Sequence, residues 1–293
     1  MRWWTYQKER FPLLAHGPLI LVFSACAVSY SALLRDGLPE WRAYAVAFAV
    51  CLLFFLQLRI ADEFKDAEED ARWRPYRPVP RGLVTLRELG AVFVGAALLQ
   101  LGLALGFEPR LWWVLGIGWA YLALMSVEFF AREWLKARPV VYLLTHMGIM
   151  PLVDFFATAC DWMPAGERPP GLAPFLAASF FNGIVIETGR KLRQPADEEQ
   201  GVETYSALWG RAGGLAAWHA CQLLTLGFAV VAAARIGFRD EVAWALGAAF
   251  GVSLVLGFGY LRKGMKGKWI EAMSGVWTLV LYGMLGVVPM LAN

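Results

Sequence analysis

Asp62, Asp66 and Asp70 recur every four residues, with Glu63 beside the first. On a helix, residues at i and i+4 stand one above the other on a single face. Three carboxylates stacked in this way repel one another unless a cation neutralises them. Mg2+ suits the task, because it takes oxygen ligands and readily shares its shell with substrate phosphates. Residues 72–82 then read RWRPYRPVPRG and place Arg72, Arg74, Arg77 and Arg81 among three prolines. Proline restricts φ and keeps such a loop extended, while guanidinium forks match phosphate oxygens two at a time. Metal-binding acids followed by fixed arginines are what a diphosphate site requires.

A second polar segment carries Glu187, Arg190 and Lys191, then the acidic run Asp197, Glu198 and Glu199 before Gly201. Each polar segment begins with acid at the end of an apolar run, turns basic, then reaches glycine. The echo suggests two halves facing each other across a central cavity.

The elements that must position these groups are apolar. The 293-residue chain is 58% hydrophobic and 17% charged, against roughly 45–50% and about 25% in soluble domains. Apolar runs near 14–34, 42–61, 88–107, 111–130, 139–159, 171–187, 214–235, 241–261 and 269–291 each approach the length of a membrane-spanning helix. The expectation is an all-α integral membrane protein of about nine transmembrane helices around a central cavity. It forms a single polytopic domain over residues 1–293, with active-site loops 59–87 and 187–211. The first run is longer than a signal-peptide core and reads as a retained span. With a cytoplasmic N-terminus, segments 1–13, 59–87, 131–138, 188–213 and 262–268 hold 21 of the 27 Lys and Arg. Arg35, Arg42, Arg110, Arg168, Arg235 and Arg239 make up the remainder. That asymmetry places the N-terminus and both polar loops in the cytoplasm and the C-terminus opposite. The net charge of +3 reports orientation and implies no nucleic-acid partner.

Cys26, Cys51, Cys160 and Cys221 are far apart in apolar runs and read as core residues. His146, Asp154, Asn182, Glu128 and Glu133 are the other polar residues in apolar surroundings. His146 and Asn182 are candidates to line the interior, with an interhelical hydrogen bond the competing role of Asn182. Asp154, eight residues from His146 on one expected span, has two places open to it, a common interior with His146 or the outer, solvated end of the span. No role is assigned to Glu128 or Glu133. The stretch 160–174 reads as an outward connector.

The pattern Asp62-Glu63-x-x-Asp66-x-x-x-Asp70, then Arg77-Pro78-Val79-Pro80-Arg81-Gly82, resembles the first signature of the UbiA superfamily of intramembrane prenyltransferases. That signature reads N-D-x-x-D-x-x-x-D followed by R-P-[LIV]-P-x-G. Asp62 replaces the usual Asn and Glu63 the usual Asp, and both keep an oxygen ligand. The family's second motif, D-x-x-x-D-x-x-x-G, corresponds to the region of Glu187, where Lys191 stands in the place of the second acid. Two readings stay open there. Either Asp197 or Glu198 rebuilds the metal site from the loop, or Arg190 and Lys191 act directly on phosphate.

The resemblance implies nine helices, a Mg2+ cofactor, and partners consisting of an isoprenyl diphosphate, a lipophilic acceptor and membrane lipids. The expected catalytic and metal-binding set is Asp62, Asp66, Asp70 and Glu187. Arg77, Arg81, Arg190 and Lys191 are expected to bind diphosphate, and Glu63, Asn182, His146 and Asp197 to line the cavity. The implied activity is prenyl transfer to an aromatic or lipid acceptor. The alternatives are a terpene cyclase, a polyprenyl-phosphate phosphoribosyltransferase, and a transporter of anionic lipids that does no chemistry.

Overall fold

In hydrocarbon every backbone N–H and C=O must find its partner within the segment, so apolar runs of this length fold as helices. The computed structural model describes residues 1–262 and 264–292, all helix and connecting turns, with no strand among the described residues. The helices are α1 (Arg2–Arg10), α2 (Leu13–Leu33), α3 (Trp41–Lys65), α4 (Ala67–Trp73), α5 (Leu86–Phe107), α6 (Leu111–Ser126) and α7 (Arg132–Lys136). They continue with α8 (Pro139–Met147), α9 (Ile149–Ala165), α10 (Leu172–Arg190), α11 (Tyr205–Ala234), α12 (Arg239–Arg262), α13 (Lys268–Tyr282) and α14 (Val288–Ala292). Among the described residues, eight helical stretches are long and apolar enough to cross a membrane, and α6 is a shorter ninth. The expectation of about nine spans holds.

Local chemistry explains the interruptions. Pro151 has no N–H to offer the carbonyl of Met147, so the 139–159 run divides into α8 and α9 at Gly148. A Cβ on Gly148 would overlap the Tyr121 hydroxyl. That hydroxyl donates to the Thr145 carbonyl at 2.6 Å. Thr85 and Glu88 form a reciprocal capping box that starts α5. α9 runs on to Ala165, so the first six of the fifteen residues in the expected 160–174 connector are helix instead. There Arg35 and Ser31 donate to Asp161 at 2.8 and 2.7 Å, which neutralises the acid and keeps it inside the bundle.

α2 packs against α3, α9 and α13, and α10 against α9, α11 and α13. Trp218, Trp277, Tyr30, Phe54, Phe156 and Phe175 are fully buried between helices, while Leu98, Trp112, Val231, Trp244 and Val255 face outward. So much outward apolar surface is what a lipid environment covers. Buried polar pairs lock the helices together. Trp218 Nε1 donates to Ser274 Oγ at 3.0 Å, and Thr278 donates to Asn182 Oδ1 at 3.2 Å. Tyr282 donates to Asp154 at 3.0 Å. Asp154 is fully buried rather than at a solvated end, because helix packing rather than depth in sequence sets its surroundings. Cys26, Cys51 and Cys160 are buried free thiols and Cys221 is half-buried.

Candidate active site

A cavity of about 370 Å³ opens at the end of the bundle where α3, α8, α10 and α11 meet. Small-molecule sites typically run from about 300 to 1,000 Å³. Its mouth is charged, with nine Lys and Arg against six Asp and Glu, and Leu58, Met125, Leu143, Met147, Ile149 and Met150 provide its apolar part. An anion with a greasy tail fits such a lining.

Asp62 stands on the last turn of α3, half-exposed to the cavity. Its oxygens lie 3.6 Å from Arg59 and 3.9 Å from Lys65, too far for hydrogen bonds. Asp66 follows at the junction of α3 and α4 and also lines the cavity, with no side chain among the described residues donating to it. Burial first, and the neighbouring charge of Asp62 second, push its carboxyl above the usual range, and Lys65 offsets part of this. Two adjacent carboxylates, one of them desolvated and without a donor, fit a hard divalent cation.

Asp70 departs from the expected stack. The backbone kinks at Asp66, and Asp70 turns inward until only 2% of it is exposed. Arg77 Nη1 donates to both its oxygens at 2.9 and 2.8 Å, and Arg74 Nε lies 2.6 Å away. Arg74 and Arg77 line the cavity while Asp70 does not, so Asp70 grips the two arginines from behind. Glu63 is also off the cavity. It lies one residue from Asp62, about 100° round the helix, and is buried against Arg10 of α1. Arg81 donates to Glu9 at 2.9 Å and to the Tyr76 carbonyl, again away from the cavity.

On the facing wall, Glu187, Arg190 and Lys191 line the cavity together. Arg190 and Lys191 lie 2.7 and 3.0 Å from the Glu187 oxygens, so this acid is already neutralised by protein cations. The loop acids do not join it. Asp197 borders a separate surface depression with Arg193, Lys266 and Lys268. Glu198 accepts from Thr204 and Ser206, and Glu199 from Tyr76 at 3.1 Å. That last bond ties the second loop to the first, and Gly201 permits it: its φ of +76° and the Trp73 ring beside its Cα leave no room for a side chain. Asn182 accepts the interhelical hydrogen bond from Thr278 through Oδ1 and is off the cavity. Among the described residues there is no cluster of three or more acids, His or Cys suited to a metal.

His146 does line the cavity, and with it come groups to which the sequence assigned nothing. Glu128 is buried at 4% exposure and faces inward, 3.6 Å from Lys65 and 3.7 Å from His146. Lys65 Nζ donates to the Tyr142 hydroxyl at 2.7 Å, and the Tyr142 ring stacks on His146 at 3.8 Å. Glu128, Phe129 and Phe130 have φ of 52°, 52° and 59°. Left-handed backbone costs a residue with a side chain roughly 1–2 kcal/mol. Polarity in an apolar run was the only signal for Glu128 in the sequence, and it does not show which way the side chain turns.

The sequence model of the UbiA prenyltransferase family matches residues 21–287. Among curated proteins, the chain is 26% identical over 154 residues to a digeranylgeranylglyceryl phosphate synthase of Korarchaeum cryptofilum (strain OPF8). That match covers 51% of this chain and 50% of the relative, so the chain spans about half the length of the curated relative it matches. Among solved structures, the apo UbiA homolog of Aeropyrum pernix K1 superposes with a TM-score of 0.67 at 14% identity, covering 93% of this chain and 97% of that one. A digeranylgeranylglyceryl phosphate synthase structure gives 0.61 at 12%, covering 100% and 99%. The UbiA homolog of Archaeoglobus fulgidus bound to DMAPP and Mg2+ gives 0.55 at 12%, covering 93% and 98%. At these identities the structural likeness speaks for the fold.

Proposed function

Since the chain belongs to the UbiA prenyltransferase family, we propose that it is a Mg2+-dependent intramembrane transferase, moving a prenyl group from an isoprenyl diphosphate to a lipophilic acceptor. One observation carries this reading: Asp62 and Asp66 line one cavity together with Arg77, Arg190 and Lys191, and Leu58, Leu143, Met147 and Met150 supply its apolar part. The A. fulgidus homolog, bound to DMAPP and Mg2+, supports the pairing of ligands.

Asp62 and Asp66 are the residues to hold the cation, and Glu187, neutralised by Arg190 and Lys191, is not free to hold a second. The ion, when bound, neutralises negative charge on the leaving diphosphate. Arg77 and Arg74, held from behind by Asp70, present fixed donors to the same charge, a preorganised effect that water cannot match. Arg190 and Lys191 do so from the facing wall, where the family pattern has a second acid. The wall of Leu58, Leu143, Met147 and Met150 keeps water from the allylic carbon while its bond to oxygen breaks. A carrier that only bound anions would gain nothing from two acids, one of them desolvated, among its cations. The mouth, with loops 59–87 and 187–211, faces the cytoplasm in this reading.

The test is purified protein in nanodiscs with labelled geranyl, farnesyl and geranylgeranyl diphosphates, with and without Mg2+. Diphosphate release that requires Mg2+ and disappears in Asp66→Ala is the expected result. Absence of Mg2+-dependent consumption across the panel refutes the reading.

A further inference from the structure

His146 is a buried base to which the diphosphate chemistry gives no task. Its Nδ1 lies 2.8 Å from the Tyr142 carbonyl. A carbonyl only accepts, so Nδ1 carries the hydrogen and Nε2 keeps a free lone pair. Nε2 has no partner among the described residues, nor has Oε2 of Glu128, and the two face each other at 3.7 Å. Both residues are more than nine-tenths buried and both line the cavity. Two desolvated acceptors confronting each other are an incomplete arrangement that a donor completes. The other carboxylate oxygen is held in place, with Lys65 at 3.6 Å and the Tyr142 hydroxyl at 3.5 Å. Three successive left-handed residues turn Glu128 into this position, and such strain gathers where function over-determines the backbone.

We propose that Glu128 and His146 form the acceptor subsite, that they take an alcohol, and that His146 Nε2 receives its proton. The proposal rests on the prenyl-transfer reading and names the acceptor class within it. In the step, a lone pair of the acceptor oxygen forms the bond to the first carbon of the prenyl group. The bond from that carbon to diphosphate oxygen breaks, its electron pair leaving with diphosphate, and the hydroxyl proton passes to Nε2. Glu128 stabilises the imidazolium that results. An arene without a hydroxyl, attacking through carbon, offers no O–H to either acceptor. The groups facing His146 are Glu128 and the Phe129 ring from the turn after α6, Tyr142 from its own helix, and Lys65 with the more distant Asp62 from α3.

The experiment uses the full chain in nanodiscs with Mg2+, geranylgeranyl diphosphate and two probe sets. The alcohols are hexadecanol, a hexadecyl glyceryl monoether and its phosphate; the controls are their methylated counterparts and an electron-rich dimethoxyarene. Prenyl ethers are expected on alcohols only, at a rate that rises with pH through one ionisation. His146→Gln is expected to lower transfer at least about a hundredfold and to abolish that ionisation, while retention of the labelled diphosphate in equilibrium dialysis is unchanged. Glu128→Gln, which removes the anion that favours imidazolium, is expected to shift the ionisation to lower pH. Added imidazole restores part of the activity of His146→Ala. Prenylation of the arene, or a His146→Gln enzyme with the wild-type rate and pH profile, would overturn the proposal and leave the transferase reading standing, whereas products formed only in the absence of acceptor would overturn both. A wild-type protein that consumes no isoprenyl diphosphate refutes both.

Discussion

Replacing Asp70 by asparagine separates two roles that its place in the acidic repeat cannot distinguish. A metal ligand would give up affinity for Mg2+, whereas a grip on Arg74 and Arg77 would give up stability and diphosphate binding. The structure puts three short contacts on this carboxylate, two from Arg77 at 2.9 and 2.8 Å and one from Arg74 at 2.6 Å. Removing one partner of a buried ion pair costs about 3–5 kcal/mol, because the other charge is left uncompensated. Arg77 is 20% exposed on the cavity side and regains some water, so the lower end, about 3 kcal/mol, is the reasonable figure. Losing the orientation of one such donor to a developing anion lowers turnover by about a hundredfold to a thousandfold. Two assays on the Asp70→Asn protein check this: thermal unfolding in detergent, and diphosphate release as Mg2+ and substrate are varied separately. The expected pattern is a lower melting temperature, a raised KM for the diphosphate, lower kcat, and an unchanged half-saturating Mg2+ concentration. A variant of wild-type stability whose activity returns at high Mg2+ refutes the placement and restores Asp70 to the metal.

Asp66 makes the opposite prediction for stability. A carboxyl whose folded-state pKa is raised favours the fold below its unfolded value and loses that contribution as pH rises through the raised value. At neutral pH without Mg2+, Asp66→Asn is therefore expected to melt higher than wild type and to lose the stabilisation that Mg2+ confers; a lower melting temperature contradicts the assignment. Gly201→Ala places a side chain at φ +76° against the Trp73 ring, a conformation costing about 1–3 kcal/mol before the overlap is counted. A melting temperature lower by several degrees, with weaker diphosphate binding as the two loops part, is the expected outcome, and an unchanged melting curve speaks against the tie. Orientation is tested with alkaline phosphatase insertions. Activity is expected from a fusion in segment 34–40 and none from one in 195–203, and the reverse pattern refutes the cytoplasmic mouth.

The sequence by itself determined the helices and one wall of the site. Apolar runs of spanning length have only one backbone solution in lipid, so α2, α3, α5, α10 and α12 lie close to where hydropathy put them, while α11 begins nine residues before its expected start. The four-residue spacing of Asp62 and Asp66 likewise carries both onto one face, since helical period is local. Local period stops helping where a helix stops. The kink at Asp66 sends Asp70 behind the arginines, and Pro151 separates His146 from Asp154, which shared one expected span. The remaining roles were decided by partners distant in the chain. Glu63 is taken by Arg10 from a helix 53 positions away, Asn182 by Thr278, Arg81 by Glu9, and Asp154 by Tyr282. Each pairing exists because a buried polar group must find whatever donor or acceptor the packing brings near. Glu128 is the clearest case: a left-handed turn without glycine leaves no mark in residue type, and only the assembled bundle turns that carboxylate toward His146.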